Sequence, residues 1–320
     1  MKRYYLGIDT SNYRTSAALY APEEGTWKNS GRLLDVPEGT IGLRQSDAVF
    51  QHSLHLHEMI SALPAGIAGE IEAVCVSVAP RAVSGSYMPC FLVGQNMAAG
   101  IAHILGVPLY VCSHQIGHVA AAALSAGVLD WLTTQDFYAW HVSGGTTELL
   151  RVSAGQDNGG LPRADCIGGT NDLAAGQLID RTGALLGLPF PAGEALERLA
   201  EQADSELCFR PKVENSTFSL SGMENKVKEL YAKQTAPENI AAFAIRTIAC
   251  ALERATTQAC KKQALPVLCA GGVMSNRFLQ RYMAERFEAR FAEPVLSGDN
   301  AVGVAVVAYL QHSAQMKQQR

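Results

Sequence analysis

The sequence predicts an α/β protein built as two lobes, and three observations carry that expectation. Its 320 residues suffice for two domain-sized cores. Hydrophobic residues make up 48% of the chain and charged residues 18%, so burial can offset the entropy of ordering, which excludes a disordered linker. A short apolar hairpin followed by alternating strands and helices occurs twice along the chain.

Residues 4–9 and 15–20 are apolar runs separated by the turn Ser11-Asn12-Tyr13-Arg14, which makes a hairpin, with a third strand expected at 31–36. A helical pattern at 54–63, a strand at 73–78, a helix at 93–105, a strand at 109–112 and a helix at 114–126 complete the first half. The plan then restarts. Residues 137–142 and 147–152 flank the turn Ser143-Gly144-Gly145-Thr146, and a helix follows at 173–186. A loop region holding Pro189, Pro191 and Pro211 leads to a helix at 239–262, a strand at 267–270, a helix at 276–287 and a last helix at 300–315. The expected division is an N-terminal lobe of residues 1–113, a C-terminal lobe of residues 114–298 and a terminal helix, 299–320, packing back on the first lobe with a cleft between the lobes.

With 26 Lys and Arg against 30 Asp and Glu, net charge −4, bulk electrostatics do not favour nucleic acid; an RNA substrate requires a local patch or partner subunits. Eight scattered cysteines with no CxxC pair argue against a disulfide framework or a zinc cluster, and a reducing cytoplasm is the expected compartment. The start of the chain lacks the apolar stretch of a secretion signal. Residues 82–129 contain no Asp, Glu, Lys or Arg, but Pro89, Gln95, Asn96 and Pro108 interrupt them, so buried interior is expected there rather than a membrane span.

The turn Ser143-Gly144-Gly145-Thr146 offers open backbone N–H groups and hydroxyls suited to phosphate oxygens, and Asp9-Thr10-Ser11 stands at the matching hairpin. Two such turns facing each other are how actin-like and sugar-kinase-like ATPases hold a nucleotide. Gly271-Gly272-Val273 with Asn276 joins a strand to a helix; it permits a close ligand, and it is equally an ordinary strand-to-helix turn. His114 and His118 lie four apart on one helical face and can share a zinc or iron(II) ion, a spacing that also arises without any ligand. Asp299 is the distant candidate for a third ligand, or a plain helix cap. His52, His55 and His57 do not share a face and read as surface or cleft-edge residues.

Taken in order, Gly7-Ile8-Asp9-Thr10-Ser11, His114-x-x-x-His118, Val142-Ser143-Gly144-Gly145, Ala174-Ala175-Gly176 with Asp180, Phe218-Ser219-Leu220-Ser221-Gly222, Gly271-Gly272-Val273 with Asn276, and Asp299-Asn300 resemble one family. It is the TsaD-type tRNA threonylcarbamoyladenosine transferase family, formerly called O-sialoglycoprotein endopeptidases. The resemblance implies a two-lobed fold of the actin, sugar-kinase and heat-shock ATPase superfamily with duplicated ribonuclease-H-like lobes. It implies one divalent metal, iron or zinc, on His114, His118 and Asp299. It further implies an adenine nucleotide, threonylcarbamoyl-AMP or ATP, with Thr10, Ser11, Val142, Gly144 and Gly145 toward its phosphates. Asp180, Gly193, Gly271, Gly272 and Asn276 then belong toward its nucleoside, with Asp9 and Ser143 as the catalytic residues. The implied reaction moves a threonylcarbamoyl group from its adenylate to N6 of the adenine beside the anticodon in tRNA. The implied partners are a non-catalytic paralogue and a small ATPase, through which tRNA is bound; a homo- or heterodimer is compatible, and no membrane is involved.

The chain departs from the family pattern at the cleft: Asn12 and Tyr13 replace Cys-Asp, Thr146 replaces a His, Leu173 an aspartate, Ala192 a glycine and Glu224 a basic residue. These changes fit a divergent paralogue, so a carbamoyltransferase with a non-tRNA acceptor and a non-catalytic nucleotide-binding scaffold stand as alternatives. A kinase ranks lower, because sugar kinases use an aspartate rather than a His pair. The sequence His114-Gln115-Ile116-Gly117-His118 lacks the Glu that metalloproteases place after the first His.

Overall fold

The first hairpin forms where its apolar runs place it, with Thr10 paired to Thr15 and Ser11 to Arg14 across the turn. The structure, a computed structural model, describes residues 2–11, 13–36, 43–298 and 300–319. In chain order the first half runs β1 (Tyr4–Ser11), β2 (Arg14–Ala21), β3 (Thr26–Leu33), α1 (Gln45–Ser61), β4 (Ile71–Ala79), α2 (Phe91–Leu105), β5 (Leu109–Ser113), α3 (His114–Ser125) and α4 (Trp131–Thr134). There follow β6 (Phe137–Val142), β7 (Thr147–Ser153), β8 (Arg163–Thr170), α5 (Ala175–Leu185), α6 (Gly193–Ala200), β9 (Thr217–Phe218), α7 (Ser221–Ala232), α8 (Pro237–Lys262), β10 (Val267–Ala270), α9 (Arg277–Ala284), β11 (Ala289–Phe291) and α10 (Val302–Gln318).

Two units result. Unit 1 comprises Met1–Gln135, Ser153–Ala164 and Leu296–Arg320; unit 2 comprises Asp136–Val152 and Asp165–Val295. The first unit thus runs past the break expected at residue 113, because α3 packs against α10 and β4 of the same unit.

In unit 1 the strand order is β3-β2-β1-β4-β5, with β1, β2 and β3 antiparallel and β1, β4 and β5 parallel. Seven of the eight residues of β1 are buried, as a central strand covered on both faces requires. Leu6, Ile8, Val74 and Val76 pack with Leu56 of α1 and Ala98 of α2. Unit 2 repeats the plan as β11-β10-β6-β7-β8-β9, in which β6 pairs antiparallel with β7 and parallel with β10. Trp140, Leu178, Leu196, Ile248 and Leu252 lie in its core.

The differences from sequence expectation are local. The strand β3 begins at Thr26, five residues before the expected one, because it zips to β2 directly after the turn at Gly25. Helix α1 starts at Gln45, and α6, α7, β8, β9 and β11 occupy segments in which no element was expected. The uncharged stretch forms α2, β5 and the whole of α3, and among the described residues no helix is long and apolar enough to cross a membrane.

Candidate functional site

In unit 1 the end of β5 turns directly into α3, whose N-terminus Ser113 caps by accepting a hydrogen bond from the Ile116 N–H at 3.3 Å. His114 is therefore the first residue of α3, and His118 lies one turn on. His114 Nδ1 is 3.0 Å from Asp9 Oδ2, and His114 Nε2 is 2.9 Å from His118 Nε2. Asp9 has no exposed surface, and Ser77 Oγ donates to its other oxygen. An ionised Asp9 makes His114 Nδ1 the donor, which leaves the Nε2 lone pair aimed at His118.

Two imidazoles facing each other through Nε2 either share a proton or share a cation. The 2.9 Å between them is hydrogen-bond distance, and the two Nε2 atoms are the type of donor that zinc or iron(II) takes. A carboxylate behind the first imidazole is the usual support of a ligating histidine. Ser11 adds a buried Oγ with no hydrogen-bond partner among the described residues, on the same face of β1 as Asp9. The donor set thus fits a metal. Among the described residues no group of three His, Cys, Asp or Glu side chains makes a ligand set, and Asp299 lies outside the described residues, as does Asn12.

The structure does not bring the side chain of Thr10 to this face. Successive strand residues alternate, and Thr10 Oγ1 donates to the Cys90 carbonyl at 3.0 Å and accepts from the Gly94 N–H at 3.2 Å, tying β1 to the start of α2. On that second face His52 is also fully buried, with Nδ1 2.7 Å from Thr15 Oγ1, which corrects its reading as a surface residue. Burial pushes the His52 imidazole down to about 4 against an opposing pull from Asp9.

In unit 2 the turn Ser143-Gly144-Gly145-Thr146 is closed by Ser143 N–H donating to the Thr146 carbonyl at 2.8 Å and Thr146 N–H donating to Ser143 Oγ at 3.2 Å. A Cβ on Gly144 or Gly145 meets nothing within 4 Å, so packing does not require glycine at either position, and the backbone there is open to close approach. Gly176 differs: a Cβ there falls 2.5 Å from the Ser143 carbonyl, so the start of α5 presses on the turn. Gly271, at φ 97°, likewise lies against the Val142 carbonyl and brings the end of β10 beside β6. Val142 itself is buried and supports the turn from behind.

These segments border a cavity of about 720 Å³. Of the residues expected toward the nucleoside, Asp180, Gly193, Gly272 and Asn276 line it, and of those expected toward the phosphates Gly144 does, while Val142, Ser143, Gly145 and Gly271 stand next to lining residues. Asp180 Oδ1 accepts from the Ala192 N–H at 2.9 Å and so fixes the loop before α6. Asn276 caps α9 by accepting from the Leu279 N–H at 3.0 Å. Sequence reasoning missed Glu194, Glu197 and Arg277, which also line the cavity. Glu197 Oε1 accepts from the Arg277 N–H at 2.7 Å. Three carboxylates around a cavity of this size suit a ligand rich in hydroxyl donors, such as a ribose.

Beside α5, Asp172 gathers the 218–222 motif: its carboxylate accepts from Ser221 Oγ at 2.7 Å, Leu220 N–H at 2.9 Å, Leu173 N–H at 2.6 Å and Ser219 Oγ. Burial alone pushes its carboxyl up, but these donors outweigh it and hold the group well below the usual carboxylate range. Leu173, which replaces an aspartate of the family pattern, points into the core. Glu224 forms ion pairs of 2.6 Å with both Arg181 and Lys228.

The sequence pattern of the family described as TsaD, tRNA N6-adenosine threonylcarbamoyltransferase, matches residues 42–306. A protein of that name from Thermus thermophilus is 30% identical over 325 residues, covering 97% of this chain and 93% of the relative. One from Methanopyrus kandleri is 32% identical over 290 residues, covering 87% and 79%, and one from Syntrophotalea carbinolica is 33% identical over 262 residues, covering 76% and 71%. Among solved structures, the Acidaminococcus fermentans (R)-2-hydroxyglutaryl-CoA dehydratase component A superposes with a TM-score of 0.53 at 16% identity, covering 97% of this chain and 99% of that one. A ROK family glucokinase from Streptomyces griseus gives 0.51 at 13%, covering 96% and 98%, and HypF from T. kodakarensis gives 0.56 at 12%, covering 99% and 48%. The chain shares the fold of these structures.

Proposed function

Because the chain belongs to the tRNA N6-adenosine threonylcarbamoyltransferase (TsaD) family, we propose that it transfers a threonylcarbamoyl group from its adenylate to N6 of the adenine beside the anticodon in tRNA. The observation that carries the reading is the run from the buried Asp9 through the half-buried His114 to the half-buried His118. His114 and His118, with Asp299 added from the sequence, hold a divalent ion, iron or zinc, which when bound supplies a Lewis acid toward carbamoyl or phosphate oxygens. Asp9, with both oxygens engaged and no exposed surface, is a positioning residue that fixes the His114 tautomer rather than a group touching substrate. Ser11 Oγ, buried without a partner among the described residues, is the hydroxyl that unit 1 offers a ligand.

In unit 2 the cavity takes the nucleoside. Asp180, Glu194 and Glu197 accept from ribose hydroxyls, Asn276 and Gly272 border the base, and the open N–H groups of Gly144 and Gly145 take phosphate oxygens. Ser143 keeps the turn closed through its Oγ and shapes that phosphate end rather than attacking substrate. The acceptor amine attacks the carbamoyl carbon, AMP leaves, and the work of the protein is orientation and charge stabilisation. With a net charge of −4, tRNA binding falls to an assembly with a non-catalytic paralogue and a small ATPase, in the cytoplasm.

A second reading keeps the transfer chemistry and changes the acceptor. It is favoured by Glu224, whose pairs with Arg181 and Lys228 neutralise a position that is basic in the family pattern. Mass spectrometry of tRNA nucleosides from cells lacking the protein, complemented with wild type or His114→Ala, separates the two. Loss of threonylcarbamoyladenosine that only wild type restores supports tRNA as acceptor and the His pair as essential. An unchanged nucleoside profile excludes the tRNA reading and leaves the second.

A further inference from the structure

Between α6 and α7 the chain runs without helix along α8, fastened to successive turns of that helix. Ser205 N–H donates to Asn239 Oδ1 at 3.1 Å, the Arg246 guanidinium donates to the Ser205 carbonyl and pairs with Glu206 at 3.3 Å, and Phe209 N–H donates to Thr247 Oγ1 at 3.1 Å. The next contact along this row is between two sulfurs: Cys208 Sγ lies 4.0 Å from Cys250 Sγ. Cys208 is half-buried and reachable from solvent, whereas Cys250 is 5% exposed.

We propose that Cys208 and Cys250 are a redox-active dithiol that closes to a disulfide when a low-molecular-weight disulfide, such as oxidised glutathione, meets the segment carrying Cys208. The solvent-reachable Cys208 thiolate attacks one sulfur of the oxidant, and one thiol leaves. The Cys250 thiolate then attacks the Cys208 sulfur of the mixed disulfide, and the second thiol leaves. Two protein thiols are oxidised, one disulfide is reduced to two thiols, and the protons pass to the leaving sulfurs. The sulfurs must close from 4.0 Å to about 2.05 Å, a movement that rotation of two side chains supplies when one sits on an irregular segment. Distance alone does not select the pair: Cys75 and Cys112 are 3.8 Å apart, but they are buried on adjacent strands where no oxidant reaches. The Cys208 segment follows Ala203, which with Arg246 and Glu197 lines a cavity of about 230 Å³; Glu197 also lines the larger cavity.

The test treats the folded full chain with oxidised glutathione and maps its cysteines by non-reducing peptide mass spectrometry, with exposed Cys166 as the internal reference. The expected result is a mixed disulfide at Cys166 and a peptide pair joining Cys208 to Cys250 that has lost two hydrogens and carries no glutathione. Stable glutathione on Cys208, or an unmodified Cys208 while Cys166 reacts, overturns the proposal. In Cys250→Ser the mixed disulfide at Cys208 is expected to persist, and its absence in a variant with wild-type circular dichroism also overturns it. Where Cys250→Ser does not fold, Cys208→Ser serves: Cys250 is then expected to stay unmodified, and its glutathionylation contradicts the assigned order of attack.

Discussion

Asp9 Oδ2 stands 3.0 Å from His114 Nδ1 on a side chain with no exposed surface, so the carboxylate reaches the imidazole and nothing outside the protein. Asp9→Asn keeps the shape and removes the charge that makes Nδ1 the donor. Loss of such a supporting group typically weakens metal binding about 10- to 100-fold. The expected outcome is that loss, read by chelator competition with zinc or iron(II), with circular dichroism unchanged. Wild-type affinity in the variant contradicts the positioning role.

His52 gives a pH dependence of a different origin. Its imidazole, held down at about 4 by burial, titrates near 6.5 when the chain unfolds. Between these values the unfolded state binds the proton and the folded state does not, so stability falls as pH drops from 6.5 toward 4, by about 3 kcal/mol. Above pH 6.5 this contribution is constant. Urea unfolding across that window is expected to show the loss in wild type and a flatter profile in His52→Gln.

How much of this was legible in the sequence follows from which interactions are local. The two hairpins, the His114 and His118 pair and the glycines of the 143–146 turn were readable because periodicity and turn chemistry involve neighbours in the chain. The alternation of strand faces also separates Asp9 and Ser11 from Thr10, and applying it removes Thr10 from the site without a structure. His52 was misread because its burial depends on Thr15 across the fold, which helix spacing does not encode. Glu194 and Glu197 were hidden because Pro189 and Pro191 made their segment read as loop, although Pro191 stands just before α6, where a proline is tolerated. The break at residue 113 failed for a similar reason: the pairing of α3 with α10 joins residues almost 200 positions apart in order.

Asp172 ties the start of α5 to the start of α7 through donors from Ser219, Leu220 and Ser221. Its carboxyl is held below the ordinary 3.8, so its contribution is present above that pH and is lost as pH falls through the lower folded value. The carboxylate is open to solvent, which discounts the gain to about 1 kcal/mol. Asp172→Asn replaces one acceptor oxygen with a donor. Denaturant unfolding at pH 7 is expected to register that loss, and the gap between variant and wild type is expected to narrow as the pH is lowered below 3.8. An equal gap at both pH values rules out the charge as its cause.

Two glycines in helices of unit 1 are expected to respond in opposite directions to the same substitution. A Cβ on Gly303 of α10 falls 1.8 Å from the Gly117 carbonyl and 2.7 Å from the Ala121 N of α3, backbone atoms that move only if the helices part. Because α10 carries the buried run from Val302 to Ala308, separating it uncovers the middle of the unit 1 core, and Gly303→Ala is expected to cost at least about 3 kcal/mol. Gly100 of α2 is exposed, and a Cβ there meets nothing within 4 Å. Alanine at that position only narrows the unfolded ensemble and improves helix propensity, a gain of about 0.5–1 kcal/mol. Thermal unfolding of the two variants beside wild type decides the matter, since equal shifts in Tm would show that the α3 to α10 contact is not the tight one.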